Sequence, residues 1–401
     1  MNKKTGYFVP ITLGTLAAFG PIVTDIYLPA MPEMVDYFST SPAMLSLSLT
    51  AGMIGLAVGQ LFIGPLSDKY GRKPLLNLSM LLFALSSVLC IFSPNIHFFN
   101  VMRVVQGAAG AGGVALSKSV ATDLFTGKQL TDFMALLAAI NGISPVFAPI
   151  LGGAVTNFAS WQGVFILLLV IGIILLVCCM RLPETLQPEA RSTKNVIRVY
   201  GNLFKVFRSR RFTLCTLSQM AAFFTFIAYV SASPFIFQTV YHLTPLEFSI
   251  CFGLNALMIG VGAVIGPRFH HANTALKWGS IDLLASTILV AVCQFLRLPL
   301  AILMPCYIYM LVCFGMMQPV STAIAMDSQR NHAGAAAAVF GAFQFTAGAI
   351  ASPLVALGDV MQTSAVIMLV GAVVCVALTL PLCEEVKREG MAEEQKSETN
   401  A

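Results

Sequence analysis

Apolar stretches of about twenty residues recur down the chain with short polar breaks between them. Each is long enough to cross a hydrocarbon core of about 30 Å as a helix. Twelve such spans are expected, at 7–30, 43–65, 75–92, 97–118, 131–156, 160–180, 212–237, 246–266, 277–294, 298–323, 333–357 and 362–383. The runs are apolar on every side, as in helices that meet lipid on one side and neighbours on the other. The expected fold is therefore all-α and integral to a membrane. The longest break, residues 181–211, separates six spans from six. It divides the chain into an N-terminal six-helix bundle (1–180), a linker (181–211), a C-terminal six-helix bundle (212–383) and a polar tail (384–401) expected to be disordered.

Within the linker Val196, Val199, Tyr200, Leu203 and Phe207 recur at helical spacing beside Lys194, Arg198, Lys205 and Arg208, which predicts an amphipathic helix lying on an anionic leaflet. The two halves also carry a weak repeat. "LAVGQLFIGPLSDKYGRK" closes span two and "LMIGVGAVIGPRFHHANT" closes span eight, with Gly64-Pro65 set against Gly266-Pro267. Halves related by duplication are how many transporters build a central site at the interface of two bundles.

Composition sharpens this picture. With 57% hydrophobic and 10% charged residues and a mean hydropathy of +0.82, the chain leaves little for a soluble domain. The opening "MNKK" with its apolar run imitates a signal peptide, but the run is too long and lacks a cleavage site before Asp25, so it is expected to stay as a helix. The net charge of +5 comes from short Lys/Arg clusters between apolar runs, where a membrane accounts for them, and nucleic acid is not an expected partner. With the N-terminus placed in the cytoplasm, every Lys and Arg except Arg103 and Arg297 falls at or near a cytoplasmic end, so both termini are expected there. The ten cysteines sit mostly singly in apolar segments and the five histidines show no ligand spacing, so no metal site is expected. No nucleotide-binding loop or nucleophile constellation appears, which argues against an enzyme and against an ATP-driven pump.

Two of the charges inside spans draw attention. Asp25 follows an uncharged run, and Arg103 lies in span four. Both come roughly 8 to 9 Å below the outer surface at 1.5 Å per residue. A direct or water-bridged pair is the simplest account of both, either as a permanent strut or as a switch. In the switch, Asp25 carries a proton and Arg103 tunes it, because burial raises a carboxylate pKa and a nearby guanidinium lowers it. Protons are then the coupling ion and no cofactor is needed. Tyr27, Gln106, Asn141, Gln219, Phe224, Tyr229, Asn255, Gln318, Phe340 and Gln344 are candidates for a mostly apolar substrate cavity with a few polar groups. Pro145 and Pro149, with Gly152 and Gly153, predict a bent, closely packed span five.

The turn "GPLSDKYGRKPLL" (64–76) combines Gly64 and Gly71 for a sharp reversal, Asp68 for local pairing, and Arg72 and Lys73 at the membrane face. Its pattern G-x-L-x-D-x-x-G-R-[RK] resembles the loop motif of the major facilitator superfamily. "RVVQGAAGAGG" (103–113) resembles that family's arginine-plus-glycine motif, and "NGISPVFAPILGG" (141–153) its antiporter motif. Together with "TDIYLPAMP" (24–32), "VATDLF" (120–125) and "AGAAAAVFGAFQ" (333–344), the chain resembles the bicyclomycin, chloramphenicol and florfenicol resistance branch of the drug:proton antiporters. The resemblance implies a twelve-helix major facilitator fold in the bacterial inner membrane, acting as a monomer, with two bundles rocking about a central site. It implies gating by the 64–73 loop, and export of small amphipathic compounds, amphenicol- or bicyclomycin-type, in exchange for protons. An exporter dedicated to a native metabolite, peptide or siderophore fits the same sequence. A non-transporting membrane receptor is the alternative from another class.

Overall fold

A computed structural model of the protein describes residues 8–188, 191, 204–269, 272–329 and 333–399. The described residues form helices and turns without a strand. They fall into two units, Met1–Tyr200 with Ser233–Leu254, and Gly201–Ala232 with Asn255–Ala401. The boundary near residue 200 falls within the expected linker, but the segment 233–254 groups with the first unit, so the units are not a clean six-plus-six division.

In the first unit the chain begins with α1 (Phe8–Ala17), α2 (Phe19–Asp25), a 3-10 turn (Leu28–Ala30) and α3 (Met31–Tyr37). These replace the single straight span expected over 7–30 with a path bent by 44°. Pro21 lacks the N–H that would bond the turn before it and crowds that turn's carbonyl, and Pro29 sits at the start of the 3-10 turn. There follow α4 (Pro42–Tyr70), α5 (Arg72–Ile91), α6 (Ile96–Leu124), α7 (Gly127–Phe158) and α8 (Trp161–Arg181). Ser41 caps α4 through Met44 N–H at 3.2 Å, and Asn95 caps α6 through Phe98 N–H at 2.9 Å.

The second unit is built on α9 (Arg210–Phe235), α10 (Pro245–Ile265), α11 (Ala272–Phe295), α12 (Leu300–Asp327), α13 (Ala333–Val355) and α14 (Val360–Thr399), with α10 starting in the first unit. Thr244 and Glu247 close a reciprocal capping box at the start of α10, the Thr244 N–H donating to Glu247 Oε2 at 2.8 Å. Most of the expected linker helix lies outside the described residues, which show a 3-10 turn at Phe204–Arg208. The tail expected to be disordered instead continues α14 to Thr399. Its Glu, Lys, Ala and Gln residues are good helix formers with one glycine among them, and they extend a helix already nucleated in the membrane.

Among the described residues nine helices are long and apolar enough to cross a membrane, ten with the bent first pair counted as one. Of the two other expected spans, α6 carries Gly107, Gly110, Gly112 and Gly113, which lower its hydropathy, and α7 contributes the shorter apolar stretch Gly142–Phe158.

Those glycines have a packing role. Gly55 lies against the Val104 carbonyl, Gly59 against the Ala108 carbonyl and Gly107 against the Gly52 carbonyl, so α4 and α6 touch backbone to backbone. The second unit repeats the device between α10 and α12: Gly262 on the Val312 carbonyl, Gly266 on the Met316 carbonyl, Gly315 on the Ile259 carbonyl. The duplication is thus visible in the contacts, in a different register from the sequence pairing. Gly266 corresponds to Gly59, not to Gly64. The regular part of α10 ends at Ile265 and passes into a 3-10 turn at Gly266–Arg268 around Pro267, whereas α4 runs on to Tyr70.

Candidate functional site

Arg103 is fully buried. Its Nη2 donates to the Val23 carbonyl at 2.7 Å, its Nη1 donates to Gln106 Oε1, and its guanidinium lies over the Tyr27 ring at 4.4 Å and the Phe165 ring at 5.9 Å. Gln106 Nε2 donates to Ser87 Oγ at 2.7 Å, and Tyr27 Oη pairs with Ser48 Oγ at 3.0 Å. Gly52 leaves the space for the guanidinium on α4.

Asp25 is also buried, and its Oδ1 accepts from Thr24 Oγ1 at 2.7 Å. The direct Asp25–Arg103 ion pair expected from their matched depth does not form among the described residues. The reason is azimuth. Val23 and Tyr27, four residues apart, share the side that meets Arg103, while Asp25, two residues from each, points about 200° away round the helix. Depth is read from residue counts; facing is not, and the Val23/Tyr27 spacing was the signal that sequence reasoning passed over.

Behind Asp25 the chain is held by α7. Gly152 packs on the Ile26 carbonyl, and Gly153 packs on Ser249 Oγ and the Pro245 carbonyl. The helix α7 runs continuously through Pro145 and Pro149. The side chain of Asn141 lies outside the described ones.

The 64–73 loop is tied down more extensively than its own residues require. Gly71 takes φ +100°, open to glycine without strain, and Gly64 has open space around it. Arg72 pairs with Asp68 at 2.5 Å and with Asp123 of α6 at 3.1 Å, and donates to Ser67 Oγ at 2.6 Å. The Arg72 and Lys73 backbone N–H groups donate to Glu184 at 3.0 and 3.2 Å, placing a carboxylate on the positive end of α5. Asp123 also accepts from Thr185 Oγ1 at 2.9 Å. Sequence reasoning missed Glu184, because the residue lies 112 positions from Arg72 and no local pattern connects them.

In the second unit Asn255 Nδ2 donates to Tyr229 Oη at 2.8 Å, and the Tyr229 and Tyr307 rings meet at 4.8 Å. Gln294 Nε2 donates to Tyr307 Oη at 3.0 Å and to Ser364 Oγ at 3.1 Å, joining two residues that the sequence reading did not select. Gln219 is fully buried, and among the described residues neither of its amide atoms finds a hydrogen-bond partner. Phe224 packs on Gly371 of α14; Phe340 is buried, and Gln318 and Gln344 are half-buried. The described residues hold no cluster of three or more His, Cys, Asp or Glu able to bind a metal.

Apolar helices in two units that repeat one glycine-mediated contact, with charged groups buried inside the first, define a multi-pass membrane transporter rather than an enzyme. The chain matches the model of the Major Facilitator Superfamily over residues 13–353, and it belongs to that superfamily. It is 37% identical over 356 residues to an uncharacterized MFS-type transporter of Bacillus subtilis, covering 86% of this chain and 88% of that one. It is 27% identical to a bicyclomycin resistance protein homolog of Haemophilus influenzae (94% and 96% covered) and 26% identical to multidrug resistance protein D of Escherichia coli (97% and 99% covered). The fold is similar to that of an inward-facing bacterial homolog of the human lysosomal transporter Spinster, with a TM-score of 0.76 at 14% identity over 96% of this chain and 98% of that one. These relatives group the chain with the bicyclomycin and multidrug resistance branch.

Proposed function

We propose that the protein exports small amphipathic compounds, of amphenicol or bicyclomycin type, across the bacterial inner membrane in exchange for protons, as a monomer with both termini in the cytoplasm. The observation that carries the reading is the state of Asp25. Its carboxylate is buried in the broken first span with the Thr24 hydroxyl as its hydrogen-bond partner, while the nearby Arg103 charge is already committed to Val23, Gln106 and Tyr27. A carboxylate that is not locked in an ion pair takes up and gives off a proton without breaking one. Arg103 acts on it through the segment 23–27, which it grips on either side of Asp25. A shift of α6 against that segment changes the field at the carboxylate, and substrate binding supplies such a shift. The names of the resistance proteins among its relatives support the substrate class.

The test uses purified protein in liposomes with an imposed pH gradient, screened against amphenicols, bicyclomycin-like compounds, dyes and siderophores. Export against the proton gradient is expected. Asp25→Asn is expected to abolish proton-driven export while leaving substrate binding. Accumulation that follows protons inward as symport would overturn the exporter reading, and wild-type proton-coupled rates in Asp25→Asn would overturn the role of Asp25.

A further inference from the structure

Two thiols meet near one end of the second unit. Cys293 of α11 and Cys306 of α12 bring their Sγ atoms to 3.7 Å, and both are free cysteines. They lie 13 residues apart in the chain, on either side of the short turn 296–299. Cys293 stands about 3 Å along α11 from its last residue, and Cys306 about 9 Å along α12 from its first. Helical Cα–Cβ bonds tilt toward the N-terminus, so the Cys306 thiol leans toward the turn and the Cys293 thiol leans away from it. The unequal backbone depths are evened out in this way, and the sulfurs reach one level. Cys306 Sγ also contacts the Ile302 carbonyl at 3.4 Å, one helical turn nearer the start of α12.

The two thiols differ in access. Cys293 is 5% exposed, whereas Cys306 is half-buried and shares a helix face with Ile302, which is 49% exposed. A thiol-reactive molecule therefore meets Cys306 first. A disulfide holds its sulfurs about 2 Å apart, so this pair has to close by about 1.7 Å. Side-chain rotation supplies part of that movement. The start of α12 supplies the rest, because Pro305 has no N–H to offer the turn before it and leaves that turn more pliant.

We propose that Cys293 and Cys306 form a redox-active dithiol whose oxidised form is a disulfide stapling α11 to α12. The oxidant is itself a disulfide. The Cys306 thiolate attacks one of its sulfurs and releases the other as a thiol, leaving a mixed disulfide on Cys306. The Cys293 thiolate then attacks Cys306 Sγ and displaces the second half of the oxidant. One disulfide is consumed and one is formed, and the protons of the two cysteines end on the two released thiols. The bridge ties the ends of α11 and α12 together and restricts the chain between them. With both termini in the cytoplasm, as proposed above, the turn 296–299 faces the outer compartment, where such oxidants operate. The supply of oxidant rests on that orientation, and the dithiol does not. The pair shares no residue with the Asp25 and Arg103 site.

The experiment treats the full-length protein in phosphatidylcholine nanodiscs with dithiodipyridine, an aromatic disulfide. The remaining thiols are then alkylated, and an unreduced digest is read by mass spectrometry. A peptide pair joined through Cys293 and Cys306 is expected in the wild type and lost in both Cys293→Ser and Cys306→Ser. Cys293→Ser should stop at the mixed disulfide on Cys306, whereas in Cys306→Ser the buried Cys293 should react roughly ten-fold or more slowly than Cys306 does. Cys178→Ser, which removes one of the adjacent pair Cys178-Cys179, should leave the link unchanged, with thermal melts confirming that each variant is folded. The proposal is overturned by any of four results: no linked peptide in the wild type, Cys306 joined to a different cysteine, Cys293 reacting as fast as Cys306 in the single variants, or loss of the link in Cys178→Ser. Acid-quenched cells form a separate arm, in which the linked peptide is also expected. A reduced pair in cells beside a linked pair in the treated protein would overturn the outward placement of the turn and leave the dithiol standing.

Discussion

Gly52 faces Arg103 across the α4–α6 contact so closely that a methyl carbon on residue 52 would stand 3.0 Å from Nη2 and 3.6 Å from Cζ. The guanidinium has nowhere free to go, because the same Nη2 donates to the Val23 carbonyl. Gly52→Ala therefore breaks or lengthens a charge-assisted hydrogen bond worth about 1.5–3 kcal/mol. Export rate is expected to fall by roughly ten-fold or more, with the protein still folded by size-exclusion profile. Wild-type transport in Gly52→Ala would mean that the grip on residues 23–27 is not needed.

Glu184 is a cap that the sequence did not advertise. It accepts from the first two backbone N–H groups of α5 and from the N–H groups of Thr185 and Leu186 at 3.0 Å each. Glu184→Ala removes the carboxylate from the positive end of the helix and is expected to destabilise by about 1–2 kcal/mol. That appears as a melting midpoint lower by a few degrees. Glu184→Gln keeps an acceptor and should lose less.

The fold was largely legible because span length and hydropathy are one-dimensional quantities. The loop 64–73 was legible too, since Gly71, Asp68 and Arg72 act within a few residues of one another. What the sequence withheld depends on direction or on distance along the chain. Asp25 and Arg103 were set at the same depth but on faces that do not meet. Glu184 reaches a helix more than a hundred residues earlier. The repeat was legible in outline and misregistered, because Gly-Pro pairs catch the eye whereas backbone contacts set the true correspondence.

That correspondence yields a paired prediction. Gly55→Leu pushes a side chain into the Val104 carbonyl, and Gly262→Leu does the same to the Val312 carbonyl. Neither backbone can move without separating its helix pair, so overpacking of about 1–3 kcal/mol or more is expected at each. Both variants should show similar falls in melting temperature in detergent. A large loss at one position and none at the other would show that the two contacts are not equivalent.

Tyr27 contributes a ring and a hydroxyl, and the two are separable. The ring lies 4.4 Å below the guanidinium of Arg103, while the hydroxyl pairs with Ser48. Tyr27→Phe keeps the ring and leaves Ser48 without this partner, a loss of about 1 kcal/mol, and export should stay within a few-fold of wild type. Tyr27→Leu fills much of the volume but removes the π face from a fully buried cation, where the interaction is worth about 2 kcal/mol. Export is expected to drop by roughly thirty-fold in that variant, since the guanidinium loses a contact that fixes it on the segment 23–27. Transport assays on the two variants side by side decide the point: if Tyr27→Phe is as damaged as Tyr27→Leu, the hydroxyl rather than the ring holds Arg103 in place.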